Sequence, residues 1–122
     1  MAAHNELGQW GEERAARYLT ERGYTIVARD WKAGHRDLDI VATDGEELVI
    51  VEVKTRSNRA LMEPEQAVTP AKARSLAIAA NAFIKYTRAT QPVRFDIISV
   101  TGTSDDDCDI RHITNAFIPR LV

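Results

Sequence analysis

Three strand-like runs follow one another within residues 24–55: YTIVARDW (24–31), RDLDIVAT (36–43) and ELVIVEVKT (47–55). The links between them are too short for a helix. Asp44-Gly45, between the second and third runs, is a strong hairpin turn signal. The third run is rich in β-branched residues, as an interior strand should be, yet it carries Glu52 and Lys54 two residues apart. A sheet is therefore obligatory, and one of its central strands ends in charge.

The flanking sequence supplies the helices. Apolar and small residues recur at helical spacing from Glu6 to Arg22, with Gly23 as a stop. Thr69-Pro70 offers an N-cap followed by proline at the first helical position, and Ala71 to Tyr86 places Leu76, Ala79, Phe83 and Tyr86 on one face. VRFDIISV (93–100) reads as a further strand, TSDDDCD (103–109) as a solvated loop, and IRHITNAF (110–117) as a weaker strand. The expected order is αβββαββ, an α/β fold with a mixed central sheet flanked by helices. No repeat or linker divides the 122 residues, so a single domain over 1–122 is expected.

Composition narrows the function classes. With 44% hydrophobic and 28% charged residues, the chain can bury one core. No apolar stretch approaches the roughly 18 residues of a membrane span, and MAAHNELGQW has no basic segment leading into an apolar block, so a cytoplasmic protein without a membrane partner is expected. Cys108, the single cysteine, excludes an internal disulfide and a cysteine-based zinc set; Asp107 and Asp109 beside it disfavour a thiolate. A net charge of -2 argues against a general polyanion binder but leaves room for a local basic surface.

Strand parity brings the charges together. Leu48, Ile50, Glu52 and Lys54 share one face of the third run; in the second, Asp37, Asp39 and Val41 share a face opposite Leu38, Ile40 and Ala42. One hairpin register sets Asp37 against Glu52, and the register two residues along sets Asp39 against Glu52. Either makes Asp39 and Glu52 direct or diagonal neighbours, and two such carboxylates need a proton or a cation between them. On the first helix, Glu12 falls about 20° from Leu19 on the inward stripe, while Glu13 faces water. Taken singly, Glu52 and Lys54 would read as a surface pair of little energetic consequence. Convergence of Glu12, Asp39, Glu52 and Lys54 on one face points instead to a site.

Oxygen ligands from Asp39 and Glu52, with the backbone carbonyl of Val53 between the side chains of Glu52 and Lys54, suit a hard ion such as Mg²⁺ or Mn²⁺. A phosphodiester would complete the ligand set. The expected chemistry is metal-dependent phosphodiester hydrolysis, with Lys54 orienting a water or stabilising developing charge.

Asp39, a twelve-residue gap and then Glu52-Val53-Lys54, preceded by a helix bearing Glu12, resembles the PD-(D/E)XK nuclease superfamily. GEERAARYLTERGYTIVARDW, RDLDIVATDGEELVIVEVKTR, EQAVTPAK and VRFDIISV together resemble the YraN-like family of bacterial predicted endonucleases, related in fold to archaeal Holliday-junction resolvases. Four blocks in order cover about residues 8–118. The resemblance implies a restriction-endonuclease-like core with Glu12, Asp39, Glu52 and Lys54 as the site, Glu12 reaching the metal through water. It also implies Mg²⁺ or Mn²⁺ as cofactor, DNA as partner, branched or single-stranded in form, and a homodimer as in related resolvases. Gln66 and Lys72 match downstream polar positions. In one departure, Arg36-Asp37 stands where the family usually has Gly-Glu, which gives Arg36 a possible phosphate contact.

Basic residues surround these acids: Arg29, Lys32, His35 and Arg36 before the second strand, and Lys54, Arg56 and Arg59 at the end of the third. Lys72, in the first turn of the second helix, shares the face of Leu76, Ala79 and Phe83 and so points to the sheet. His35 and His112 read as surface or supporting residues, and Trp10, Tyr18, Tyr24 and Trp31 as core and rim packing. The competing expectation is a module that binds nucleic acid or protein without catalysis.

Overall fold

The computed structural model describes residues 2–57 and 68–118. Its elements are α1 (Ala2–Glu21), β1 (Thr25–Ala33), β2 (Arg36–Thr43), β3 (Leu48–Arg56), α2 (Pro70–Thr87), β4 (Val93–Ser104) and β5 (Asp107–Ile113). The expected αβββαββ order is observed. Gly23, at φ 91°, ends the first helical segment in a conformation open to glycine. At the start of α2 the Thr69 side chain accepts the Lys72 N–H at 3.1 Å, with Pro70 beginning the helix.

The strands form one sheet in the order β1-β2-β3-β4-β5. β1–β2, β2–β3 and β4–β5 pair antiparallel, whereas β3–β4 is parallel, because the chain crosses over through α2 between them. The sheet is therefore mixed, with β3 at its centre.

A helix covers each face of the sheet. Ala15, Ala16 and Leu19 of α1 cluster with Ile40, Ala42, Val49, Val51, Ile98 and Val100. Leu76, Ala79, Ala80 and Phe83 of α2 cluster with Leu38, Val41, Leu48 and Ile50. Burial on both sides explains why LVIV is continuously apolar rather than alternating with polar residues. Trp10, Tyr18 and Tyr24 pack against the α1 cluster, and Trp31 stacks edge-on to Phe83 at 5.2 Å in the other, as expected of core and rim aromatics.

Two expectations are corrected. Residues 103–109 are solvated, as expected, over 103–107, but are not a loop: β4 runs to Ser104 and β5 starts at Asp107, so the acidic run is a tight hairpin. Asp105 anchors that hairpin to α1, accepting the Trp10 indole N–H at 2.8 Å and pairing with Arg17 at 3.3 Å. Strict alternation also fails in β2, where Leu38 and Val41 both enter the α2 cluster. Asp39 lies between them, where the strand turns. The partner strand is irregular here too, with Asp30 at φ 50°.

Candidate active site

β2 and β3 adopt the second of the two registers left open by the sequence. Ile40 pairs with Val51 and Val41 with Ile50, so Asp39 and Glu52 come next across the hairpin. The ladder ends at Ile40–Val51. Beyond it the Asp39 carboxylate accepts the Val53 N–H at 2.9 Å. A side chain thus takes over the backbone donor where the two strands separate.

Asp39 and Glu52 hydrogen-bond to each other through their carboxyl groups. Burial pushes Glu52 up to about 7, the Asp39 charge adds to the rise, and Lys72 and Lys54 oppose it. Burial likewise raises Asp39, against the hydrogen bond from Val53. Two buried carboxylates this close are tolerated with a proton or a cation to offset their charge. Glu12 joins from α1 by charge: burial pushes it up to about 7, and Asp39 is the largest charged contributor. Glu13 points outward to Arg29 at 2.9 Å, as its helical position requires.

Gly11 brings α1 this close. A Cβ at Gly11 would collide with the Thr55 side chain of β3, so the helix can lie against the end of β3 only where no side chain intervenes. Glu12 follows directly.

The cations arrive from two elements. Lys72, in the first turn of α2, approaches Glu52 at 3.7 Å, as its place on the sheet-facing stripe implies. A depression of about 300 Å³ lies between α2 and the end of β3, lined by Glu52, Lys54, Thr55, Arg56, Thr69 and Lys72 among others. Lys54 and Arg56 are thus beside the acids. Asp37 is not part of the pair: it is held by Lys32 at 3.2 Å on the exposed side of β1–β2, with Asp30 on the same lysine at 2.9 Å. Arg36 lines a different depression with Arg74. Arg59 and Gln66 lie outside the described residues.

The donor set fits a small hard cation only in part. Among the described residues no three acidic, histidine or cysteine side chains converge into a metal cage. Two adjacent carboxylates nevertheless match the protein share of a Mg²⁺ or Mn²⁺ site, where waters and phosphate oxygens complete the shell. The ion would offset the charge that the two carboxylates press on each other.

A second charged group was not foreseen. Asp96 is fully buried and accepts from Arg94 Nε at 2.9 Å, from His112 Nε2 at 2.7 Å and from the Asn115 N–H at 2.9 Å. Burial works to raise its pKa, but the hydrogen bonds from His112, Arg94 and Asn115 hold it below the ordinary value. Arg94 also donates to Glu47 at 2.9 Å and to the Tyr24 hydroxyl at 2.7 Å. His112 is therefore no surface residue: its side chain is 8% exposed and sits edge-on to Tyr18 at 5.5 Å. The available signal was an aspartate inside VRFDIISV, two residues from an arginine and so on its face. The group ties β4, β5, the β2–β3 turn and the start of β1 together.

No helix among the described residues is long and apolar enough to cross a membrane. A model of the uncharacterised protein family UPF0102 matches residues 11–100. A UPF0102 protein of Bacteroides thetaiotaomicron is 51% identical over 121 residues, covering 99% of both chains. That of Phocaeicola vulgatus is 45% identical with the same coverage, and that of Syntrophomonas wolfei is 42% identical over 115 residues, 93% of this chain and 99% of its own.

Proposed function

The chain belongs to the uncharacterised protein family UPF0102, and we propose that it is a metal-dependent endonuclease of the PD-(D/E)XK type, close to the YraN-like group, that hydrolyses DNA phosphodiesters. The observation carrying this reading is the Asp39–Glu52 pair at the end of β3, with Lys54 on the same strand and Lys72 at 3.7 Å from Glu52. Two acids and two lysines at one strand end are costly for a fold and useful for a phosphate ester.

Asp39, Glu52 and the backbone carbonyl of Val53 would hold Mg²⁺ or Mn²⁺, with Glu12 reaching it through a water. When bound, such an ion lowers the pKa of a coordinated water and offsets charge on the phosphate oxygens. Glu12, which burial and the Asp39 charge raise in the metal-free fold, would hold that water as a carboxylate acceptor. Lys54 orients the attacking water or meets the charge that develops in the transition state. Lys72, Arg36, Arg56 and Arg59 hold the DNA backbone. Branched or single-stranded DNA in repair or recombination is the substrate class proposed, with a homodimer presenting two such sites.

The test is purified protein with Mn²⁺ or Mg²⁺ and a panel of branched, flapped and single-stranded DNAs, beside Asp39→Ala and Lys54→Ala. Cleavage by the unaltered chain alone is expected. Equal activity in all three would overturn the reading. The competing binding module is favoured by the finding that, among the described residues, no three acidic, histidine or cysteine side chains converge. It gains if Mn²⁺ binds Glu52→Ala as tightly as the unaltered chain while DNA binding persists.

A further inference from the structure

Lys72 reaches the acid pair from α2, whereas Glu52 and Lys54 belong to β3. Its Nζ stands 3.7 Å from Glu52 Oε2, with the lysine side chain 45% exposed and that of Glu52 15%. Burial raises both Asp39 and Glu52; Lys72 opposes the rise in each, and at Glu52 it does so ahead of Lys54. Lys72 therefore answers the charge of both acids while its own head stays open to solvent.

The two ends of this residue are held differently. Its backbone is fixed, because Pro70 begins α2 and Thr69 Oγ1 accepts the Lys72 N–H at 3.1 Å. Its side chain is a flexible four-carbon stem carrying a compact, strongly hydrated charge. The ammonium can leave Glu52 by rotation of that stem, with no movement of the helix or the sheet. The space into which it turns is the depression of about 300 Å³ that it lines with Lys54, Thr55, Arg56 and Thr69 among others. A carboxylate as buried as Glu52 attracts cations with little screening by salt. A divalent cation on that carboxylate repels an ammonium beside it, so Glu52 serves one or the other.

We propose that Lys72 is an exchangeable counterion, paired with Glu52 in the metal-free chain and transferred to a phosphate of the polynucleotide when a divalent cation takes that carboxylate. The proposal rests on the metal-dependent phosphodiester reading of the site above. Two consequences follow from the exchange. Lys72 competes with the metal for Glu52, so the lysine weakens metal binding. Once displaced, it adds a phosphate contact, so metal and polynucleotide strengthen each other's binding by the same factor in either order.

The test uses the full-length chain and two variants at this exposed position, Lys72→Met and the charge-keeping Lys72→Arg. Mn²⁺ binding is followed by the EPR signal of the free ion at about pH 8, above the value of about 7 at which Glu12 and Glu52 stand. Lys72→Met should bind Mn²⁺ about two- to fivefold more tightly than the unaltered chain, the size of a part-exposed ion pair. Lys72→Arg should stay close to the unaltered chain. Binding of a labelled oligothymidylate with and without Mn²⁺ is then compared in Lys54→Ala proteins, which are expected not to cleave it. The gain that Mn²⁺ brings should be smaller when Lys72→Met is added. Mn²⁺ binding to Lys72→Met that is equal or weaker would overturn the exchange and leave the nuclease reading to its own test. Tighter Mn²⁺ binding with an unchanged gain for the oligonucleotide would overturn the transfer to phosphate. Absence of Mn²⁺ binding in all three proteins would overturn the exchange together with the metal-dependent reading.

Discussion

The Asp39 carboxylate accepts the backbone N–H of Val53, 2.9 Å away, at the point where β2 and β3 stop pairing. Asp39 therefore has two tasks, to satisfy a strand end and to supply charge, and substitutions can separate them. Asp39→Asn keeps an oxygen acceptor for Val53 while removing the charge that presses on Glu52 and Glu12. Without metal it should melt a few degrees above the unaltered chain, because a like-charge pair is relieved. It should show no further rise on adding Mn²⁺, whereas the unaltered chain should. Thermal melts of both proteins with and without Mn²⁺ decide this; equal Mn²⁺ responses would remove Asp39 from the metal site.

The raised carboxyls make the metal-free protein lose stability as pH rises toward neutrality. Glu12 and Glu52 both stand at about 7 in the fold against an ordinary 4.5. Folding then takes up protons, so stability falls as pH rises from about 4.5, where the unfolded chain ionises, and levels off above about 7. Urea denaturation across this range should show the decline, and Glu52→Gln should flatten it. A profile that is level between these limits for the metal-free chain would contradict the buried pair.

Asp96 acts with the opposite sign. Its pKa is held low in the fold, so its contribution is present above the ordinary value of 3.8 and is lost as acid protonates it. Asp96→Asn removes the buried carboxylate shared by Arg94, His112 and Asn115, leaving Arg94, among the described residues, only Glu47 and Asp44 at the rim as countercharges, and should cost on the order of 3 kcal/mol. Chemical denaturation measures that loss. A change below about 1 kcal/mol, the range of a surface ion pair, would mean that the group does not fasten the sheet.

Gly11 offers a test of how Glu12 is placed. Gly11→Ala puts a methyl group against Thr55 and should destabilise the fold by about 1–3 kcal/mol through overpacking. Thr55→Gly in the same chain should recover a large part of that loss, since it empties the space the methyl enters. A double-mutant cycle in urea reads the coupling; strict additivity would show that α1 and β3 do not meet there.

Much of the fold was legible because its signals are local. Thr69-Pro70, Gly23 and Asp44-Gly45 mark element ends through backbone chemistry, and LVIV declares a strand buried on both faces. The acidic run at 103–109 misled because charge usually marks solvent, whereas here Trp10 and Arg17 of α1 hold Asp105 and the strands continue around it.

For the site, parity along β3 and the helical stripe of α1 were enough to nominate Glu52, Lys54 and Glu12, since both periods follow from covalent geometry. The sequence by itself left two hairpin registers open, and only tertiary packing decided that Asp39 faces Glu52. A two-residue slip of β2 would keep each side chain on its face, so the choice is made by position along the strand: the observed register sets Ile40 beside Val51 and Ala42 beside Val49 under α1. The Asp96 group belongs to the structure in the same way. In the Asp96 group, Tyr24, Glu47, Arg94 and His112 lie far apart in the chain and meet because β4 pairs with β3 on one side and with β5 on the other.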